Sequence, residues 1–145
     1  MSFASLEAHA DAVLALLYAE TRLTVFPAAE PGPRVAPNKV APPYVTVHFA
    51  SIRPKSGRLT MRSTAMRMRI YAHCSGATDA SARGTADLVA GVLLDAIPTL
   101  PGRVVYPIAH ETSQQDNRPP REDESTSRLV STLTEVYLLR TEAGR

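Results

Sequence analysis

The chain has 145 residues, of which 44% are hydrophobic and 21% charged, and its formal net charge is +2. This length predicts a single domain over residues 1–145 with its own hydrophobic core, and the composition is ordinary for a soluble globular protein. The longest apolar runs, near residues 12–19 and 88–94, are too short to span a bilayer, so we expect no membrane protein. The single cysteine excludes an internal disulfide. It favours a cytosolic protein, as does an N-terminal segment without a basic region.

The first predicted element is a helix that is capped by Ser5 and runs to about Ala19. Its apolar positions recur every three or four residues and form one stripe: Leu6, Ala10, Val13 and Leu17. Residues 22–26 are then predicted to form a short strand that Pro27 ends.

Residues 27–43 contain six of the twelve prolines. Each proline removes a backbone donor and restrains the residue before it, so this segment is neither helix nor central strand. We expect an extended arm that becomes ordered against a neighbour, since proline lowers the entropy lost on binding.

A hairpin is predicted next, from a strand over residues 44–52, a basic turn over residues 53–58 and a long strand that starts at Leu59. The long strand alternates between two sets of side chains. One set is apolar and includes Met66, Met68, Ile70 and Ala72. The other set contains Arg67, Arg69, Tyr71 and His73.

Thr78 is predicted to cap a second helix that Pro98 ends. Its apolar stripe consists of Ala82, Ala86, Val89, Leu93, Ala96 and Ile97, and this stripe is suited to cover the apolar side of the long strand. Residues 103–109 then indicate an edge strand. Residues 110–126 are polar and predict a mobile, charged loop, and residues 127–140 predict a final strand that is partly apolar on both faces.

This order of elements favours an α+β fold, with an antiparallel or mixed sheet of four to five strands and two helices packed on one face. The second face of the sheet then carries Arg67, Arg69 and Tyr71 together with apolar residues. An isolated domain rarely leaves such a face bare, so the pattern indicates assembly with other copies or partners.

Charge is distributed unevenly along the chain. Residues 31–78 contain eight basic residues and no acid, whereas residues 111–124 contain five acids and two arginines. Either these charges solvate loops, or two surfaces of opposite sign meet within one chain or between copies. A basic block also raises nucleic acid as a partner.

The sequence contains no pattern that specifies a reaction. Its four histidines, His9, His48, His73 and His110, are not spaced as metal ligands, and His73 and Cys74 point to opposite faces of one strand. A phosphate-binding loop and a G-x-S-x-G nucleophile elbow are both missing. We therefore expect no enzyme, no metal and no cofactor.

The whole order of elements resembles the tail terminator (tail completion) proteins of long-tailed bacteriophages and gene transfer agents. The stretches that carry the resemblance are PPYVTVHF, MRMRIYAHC, TDASARGTADLVAGVLLDAI, GRVVYPI and LVSTLTEVYLLR. It implies an α+β virion protein, assembled in the host cytoplasm and located in the tail or neck. Such a subunit forms a hexameric ring that caps the tail tube, ends its polymerisation and joins the tail to the head-closure or connector protein. DNA passes through the lumen without sequence-specific binding.

A ring of this kind needs two different surfaces that meet between neighbouring copies. The basic hairpin and the acidic segment supply candidates of opposite sign: Arg53, Lys55, Arg58, Arg67, Arg69, Tyr71, Glu111, Asp116, Glu122, Asp123 and Glu124. Three other functions stay open. They are a head-closure or connector-layer protein of the same particle, a basic nucleic-acid-binding module, and a small hydrolase that uses Cys74 or His73.

Overall fold

The computed structural model describes residues 5–27, 43–52, 65–115, 121–123 and 128–143. Their elements in chain order are α1 (Leu6–Tyr18), β1 (Val25–Pro27), β2 (Tyr44–Ile52), β3 (Met66–Gly76), α2 (Asp79–Leu93), β4 (Arg103–Val105), β5 (Ala109–Gln115), β6 (Arg121–Asp123) and β7 (Arg128–Ala143). The predicted α+β class is confirmed. Residues 28–42 of the proline-rich segment lie outside the described residues, and so do residues 53–64, which include the turn of the hairpin.

The sheet is built around the antiparallel pair of β3 and β7, which stays in register from Met66 opposite Thr141 to Gly76 opposite Ser131. On the far side of β3 lies β2, which pairs with it antiparallel, and β1 adds parallel to β2. Along the other edge of β7, β4, β5 and β6 follow one another as antiparallel partners. The described sheet is therefore mixed, with the two longest strands next to each other.

The alternation predicted for β3 is confirmed. Its apolar residues Met66, Met68, Ile70, Ala72 and Cys74 are all at most 1% exposed. Arg67 on the other side is exposed, and His73 is only half-buried. We call the first side of the sheet the helix face and the second side the outer face, because both helices pack on the first.

Both helices begin where the sequence predicts. The side chain of Ser5 accepts a hydrogen bond from the backbone of Ala8 at 3.2 Å, and Thr78 accepts one from Ser81 at 3.1 Å. The buried stripes of the two helices consist of Val13 and Leu17 in α1, and of Ala82, Ala86, Val89 and Leu93 in α2. All of these except Ala82 join the apolar side chains of β2, β3 and β7 in one core. Neither described helix has the length and apolar character needed to cross a membrane.

The predicted end of α2 is wrong by about one turn. The helix ends at Leu93, and Asp95 takes the left-handed backbone conformation with φ 60°. The backbone of the turn then pairs with Ile108, which accepts from the N–H of Asp95 and donates to the carbonyl of Ala96, each at 2.9 Å. These two bonds redirect the chain before the prolines, so Ile97 is 61% exposed instead of joining the apolar stripe.

The prediction of a mobile loop over residues 110–126 is also wrong in part, because β6 and all but the first residue of β5 fall within this range. Both strands hydrogen-bond to the edge of β7 that lies away from β3. The backbone of a polar segment pairs as well as that of an apolar one, so an available strand edge overrides low strand propensity. The edge strand predicted over residues 103–109 is correspondingly shorter and ends at Val105.

Candidate functional site

Three arginines lie close together on the outer face. Arg67 of β3 is directly opposite Arg140 of β7, and Arg69 follows two residues further along the same side of β3. Arg140 donates to Glu142 at 2.9 Å, and its guanidinium carbon lies 5.0 Å from the centre of the Tyr106 ring. Arg67 is exposed and forms no ion pair with the described residues. The outer face therefore presents one arginine whose charge has no acidic partner in this part of the chain.

Arg69 is bound by an acid of its own chain. Its Nε and Nη2 atoms donate to the two carboxylate oxygens of Glu111, each at 3.0 Å, which is the bidentate geometry that guanidinium and carboxylate groups prefer. Glu111 lies at a bulge in β5 between His110 and Thr112, so its side chain is turned toward the outer face. The hydrogen bonds and the charge of Glu111 raise the pKa of Arg69.

Two histidines also meet on the outer face, where the rings of His48 and His73 lie 5.1 Å apart at 78°. Nδ1 of His73 is 2.9 Å from the hydroxyl of Thr134. Burial lowers the pKa of His73, and the neighbouring His48 lowers it further. A neutral ring is therefore favoured at this position, and Cys74 beside it points into the core, so the pair cannot act as a thiol and its base.

A polar cluster occupies the opposite, helix face. Nε2 of His110 lies 2.5 Å from Oε2 of Glu135, and the hydroxyl of Ser113 donates to the same oxygen at 2.7 Å. His110 and Ser113 are placed on this side by β5, which pairs with the strand that carries Glu135. Among the described residues, Oε1 of Glu135 accepts no hydrogen bond.

This cluster forms one wall of a pocket of about 180 Å³ between α2, β5 and β7. The other lining residues are Asp87, Tyr137 and the apolar side chains of Ala86, Ala90 and Leu94. Tyr137 is fully buried, yet its hydroxyl has no hydrogen-bond partner in the described structure. Burial raises the pKa of Tyr137, as do the charges of Glu135 and Asp87. We call this cavity the α2–β5 pocket.

The geometry of the α2–β5 pocket does not match nucleophilic catalysis. In a catalytic triad the histidine contacts the serine through one ring nitrogen and the acid through the other. Here Nε2 of His110 lies 3.1 Å from the hydroxyl of Ser113 and also contacts the acid, while Ser113 donates to Glu135. No set of three His, Cys, Asp or Glu side chains in the described segments is placed to hold a metal ion. The pocket is instead lined by two carboxylates, Asp87 and Glu135, and one histidine, His110.

The polar pocket residues Asp87, His110, Ser113 and Glu135 were not assigned to a site by the sequence prediction. One signal was present, because Glu135 interrupts the apolar series of Leu133, Tyr137 and Leu139 on one side of β7. A carboxylate in such a series indicates either a partner or a binding site. The pocket is completed by the pairing of β5 with β7, and no feature of the sequence pattern indicated this pairing.

The structure brings together only part of the predicted interface. Arg69 and Glu111 meet within one chain, Arg67 is exposed and Tyr71 is half-buried on the outer face. Glu122 and Asp123 form part of β6, opposite Leu129 and Arg128. The remaining predicted interface residues, Arg53, Lys55, Arg58, Asp116 and Glu124, lie outside the described residues.

The fold and its surfaces define an α+β protein with a curled mixed sheet that carries its helices on one face. A family model described as Tail completion protein gp17 matches residues 11–135, and the chain therefore belongs to this family. The structure is also similar to a chain of the "Virion of native gene transfer agent (GTA) particle". That similarity has a TM-score of 0.65 at 20% identity and covers 98% of this chain and 100% of the other, so the two share a fold. The comparison with curated proteins gave no match.

The resemblance to tail completion proteins is thereby confirmed. The family consists of structural proteins of bacteriophage tails and is not an enzyme family. The protein is accordingly a structural virion protein located in the tail.

Proposed function

We propose that this protein, acting as one domain, forms a hexameric ring that caps the tail tube, ends its polymerisation and joins the tail to the head-closure or connector protein. DNA passes through the lumen of the ring and is not read by sequence. In this role the protein contributes to the assembly of the tail and not to a chemical reaction.

The observation that supports the proposal is a sheet that the described helices cover on one face only. Both described helices cover the helix face, and the outer face carries an exposed arginine, Arg67, that has no ion pair with the described residues and lies directly opposite a second arginine, Arg140. Like charges in directly opposite positions of two strands destabilise an isolated sheet. An acidic surface of a neighbouring subunit or partner offsets this repulsion, so the outer face is suited to assembly.

The alternative of a nucleic-acid-binding module is less well supported by the same face. A phosphate-binding surface needs cations that are free to replace the counterions of the backbone. Of the three arginines described on the outer face, two already hold acids of their own chain, since Arg69 is bound to Glu111 and Arg140 to Glu142. In the described part of this surface, Arg67 is therefore the one arginine that is not already bound to an acid.

The experiment that tests the proposal combines the purified protein with its tail tube protein. We expect negative-stain electron microscopy to show rings of the protein alone, and tubes that carry one such ring at an end. Tube length should become shorter as the protein is added during polymerisation. A protein that stays monomeric, and tubes of unchanged length, would contradict the proposal. Salt-dependent binding of duplex DNA by the monomer would favour the nucleic-acid module instead.

A further inference from the structure

We propose that the α2–β5 pocket is the receptor for Arg67 of the neighbouring subunit, so that the outer face of one copy contacts the helix face of the next. The inference rests on the proposed ring, and it names the contact that joins two subunits. Neither Asp87 nor Glu135 belongs to the interface that the sequence predicts.

The acidic side chains that line the pocket make it suited to bind an arginine side chain. Asp87 and Glu135 both line it, and Asp87 is exposed without an ion pair to the described residues. The two carboxylates outnumber the single histidine, His110, whatever its protonation state. A guanidinium group has five N–H donors and no acceptor, so it matches a site that offers carboxylate oxygens.

The buried hydroxyl of Tyr137 gives a second, independent indication of a ligand. A buried polar group without a hydrogen bond costs free energy, and native proteins rarely leave one unsatisfied. Tyr137 is fully buried, lines the pocket and has no partner in the described structure. Its oxygen has an unused acceptor position, and because the hydroxyl is closed off from solvent, an entering N–H group bonds to it only when the side chains around the pocket move apart.

The dimensions and the walls of the pocket also fit a long side chain. Its volume of about 180 Å³ lies below the range of about 300–1,000 Å³ that is typical of cofactor and small-molecule sites. Ala86, Ala90 and Leu94 provide an apolar surface for the methylene groups of an arginine. Leu94 is 47% exposed at the end of α2, so an incoming chain also gains apolar contact there.

Arg67 cannot reach this pocket within its own chain. Glu135 lies opposite Ala72 on β3, and Arg67 is five residues away along that strand, which corresponds to about 17 Å. Arg67 also projects from the outer face, whereas the pocket opens on the helix face. The two surfaces can meet only between copies, and such a contact between unlike surfaces generates a ring when the rotation from copy to copy closes.

A charge swap tests the inference. Arg67→Asp and Asp87→Arg should each weaken self-association at least about tenfold in sedimentation velocity experiments over a concentration series. The double variant with both changes should recover most of the wild-type association, because the ion pair is re-formed with its direction reversed. Failure of the double variant to recover would overturn the proposal.

Two control variants test whether the effect on association is specific to the pocket. Arg83, another exposed arginine, lies on α2, and Arg83→Asp combined with Asp87→Arg should not recover association. Asp11→Arg changes an exposed acid on α1 and should leave association within about twofold of wild type. Recovery with Arg83→Asp, or an equally strong effect of Asp11→Arg, would show that overall charge and not the pocket controls assembly.

Tyr137→Phe provides a variant that does not change charge. It should leave the midpoint of thermal unfolding of the dilute subunit unchanged or higher, because it removes an unpaired hydroxyl, and it should weaken association several-fold. Unchanged association would contradict the role of the hydroxyl as an acceptor and overturn the inference. If the wild-type protein does not assemble at all, the proposed ring itself is wrong. If rings form and resist every pocket variant, only the present inference fails.

Discussion

Arg69 of β3 reaches across β7 and forms two 3.0 Å hydrogen bonds with Glu111 of β5. The basic and the acidic parts of the sequence therefore meet within one subunit at this point. Arg67, two residues earlier on the same strand, makes no such contact with the described residues. Arg67 and Arg69 occupy equivalent positions in the alternating sequence pattern, but they make different contacts in the structure.

The first prediction separates these roles by charge reversal. Arg69→Glu should lower the midpoint of thermal unfolding, because it places two carboxylates together, and the loss should shrink at high salt. Arg67→Glu should leave the midpoint unchanged or raise it, since it removes the repulsion from Arg140. Thermal unfolding followed by circular dichroism at low and high salt provides the measurement. Recovery in the double variant Arg69→Glu with Glu111→Arg is the control, and equal midpoints for both single variants would contradict the assignment.

The buried His9 connects α1 to the last strand. Its Nδ1–H donates to the carbonyl oxygen of Ser5 at 2.6 Å, and its Nε2 lies 2.7 Å from the hydroxyl of Thr141. That hydroxyl accepts from Nε of Arg103 at 3.0 Å, so its own proton is available to Nε2. Burial lowers the pKa of His9 below 6.5, and the charge of Arg103 lowers it further, against the raising effect of the bond to Ser5.

The second prediction follows from this neutral histidine. A folded-state pKa below the unfolded value means that His9 contributes stability above pH 6.5, and that this stability is lost as the pH falls through the folded pKa. His9→Gln should therefore reduce the difference in urea midpoint between about pH 7.5 and about pH 5. The pKa of His73 is lowered too, and its share of the acid loss should persist in this variant. Identical pH dependence in wild type and variant would rule out the role of His9.

The third prediction concerns the close approach of Gly76 to α2. A Cβ atom at Gly76 would collide with the backbone nitrogen of Ala82 and would lie 2.7 Å from the backbone carbon of Ser81. Gly76→Ala should therefore cost about 1–3 kcal/mol in the free energy of unfolding, measured by urea denaturation. Gly84→Ala is the matched control, because a Cβ at that exposed helical position meets nothing within 4 Å. It should stabilise by about 0.5–1 kcal/mol, and a Gly76 variant of wild-type stability would show that α2 can shift freely.

The fourth prediction is that the thiol of Cys74 does not react directly in the native protein. The side chain is fully buried, and burial raises its pKa to about 12, with a smaller contribution from Glu135. The thiolate is the reactive form, so the native protein should react with a thiol reagent only through unfolding or local opening. Labelling at mildly alkaline pH should be slow in buffer and complete in denaturant. Rapid labelling of the native protein would contradict the burial and reopen the question of thiol chemistry.

The elements that depend on local pattern were predictable from the sequence. The alternation of Met66, Arg67 and Met68 assigns the two faces of β3, because successive side chains of a strand point to opposite sides. Ser5 and Thr78 mark the starts of the two helices, because their hydroxyl groups accept from free backbone N–H groups of the first turn. Each of these signals lies within a few residues of the structure that it predicts.

The features that depend on pairing between residues far apart in the chain were decided only by the tertiary structure. The polar segment that forms β5 becomes a strand because β7 offers a free edge, and no period within the segment reveals this. The bond between Arg69 and Glu111 and the α2–β5 pocket both follow from that pairing, since β5 carries Glu111, His110 and Ser113 to their partners. The sequence by itself thus determined the α+β class and the face of each side chain on the central strand. Which charges neutralise each other and which stay available for assembly depended on contacts between residues far apart in the chain.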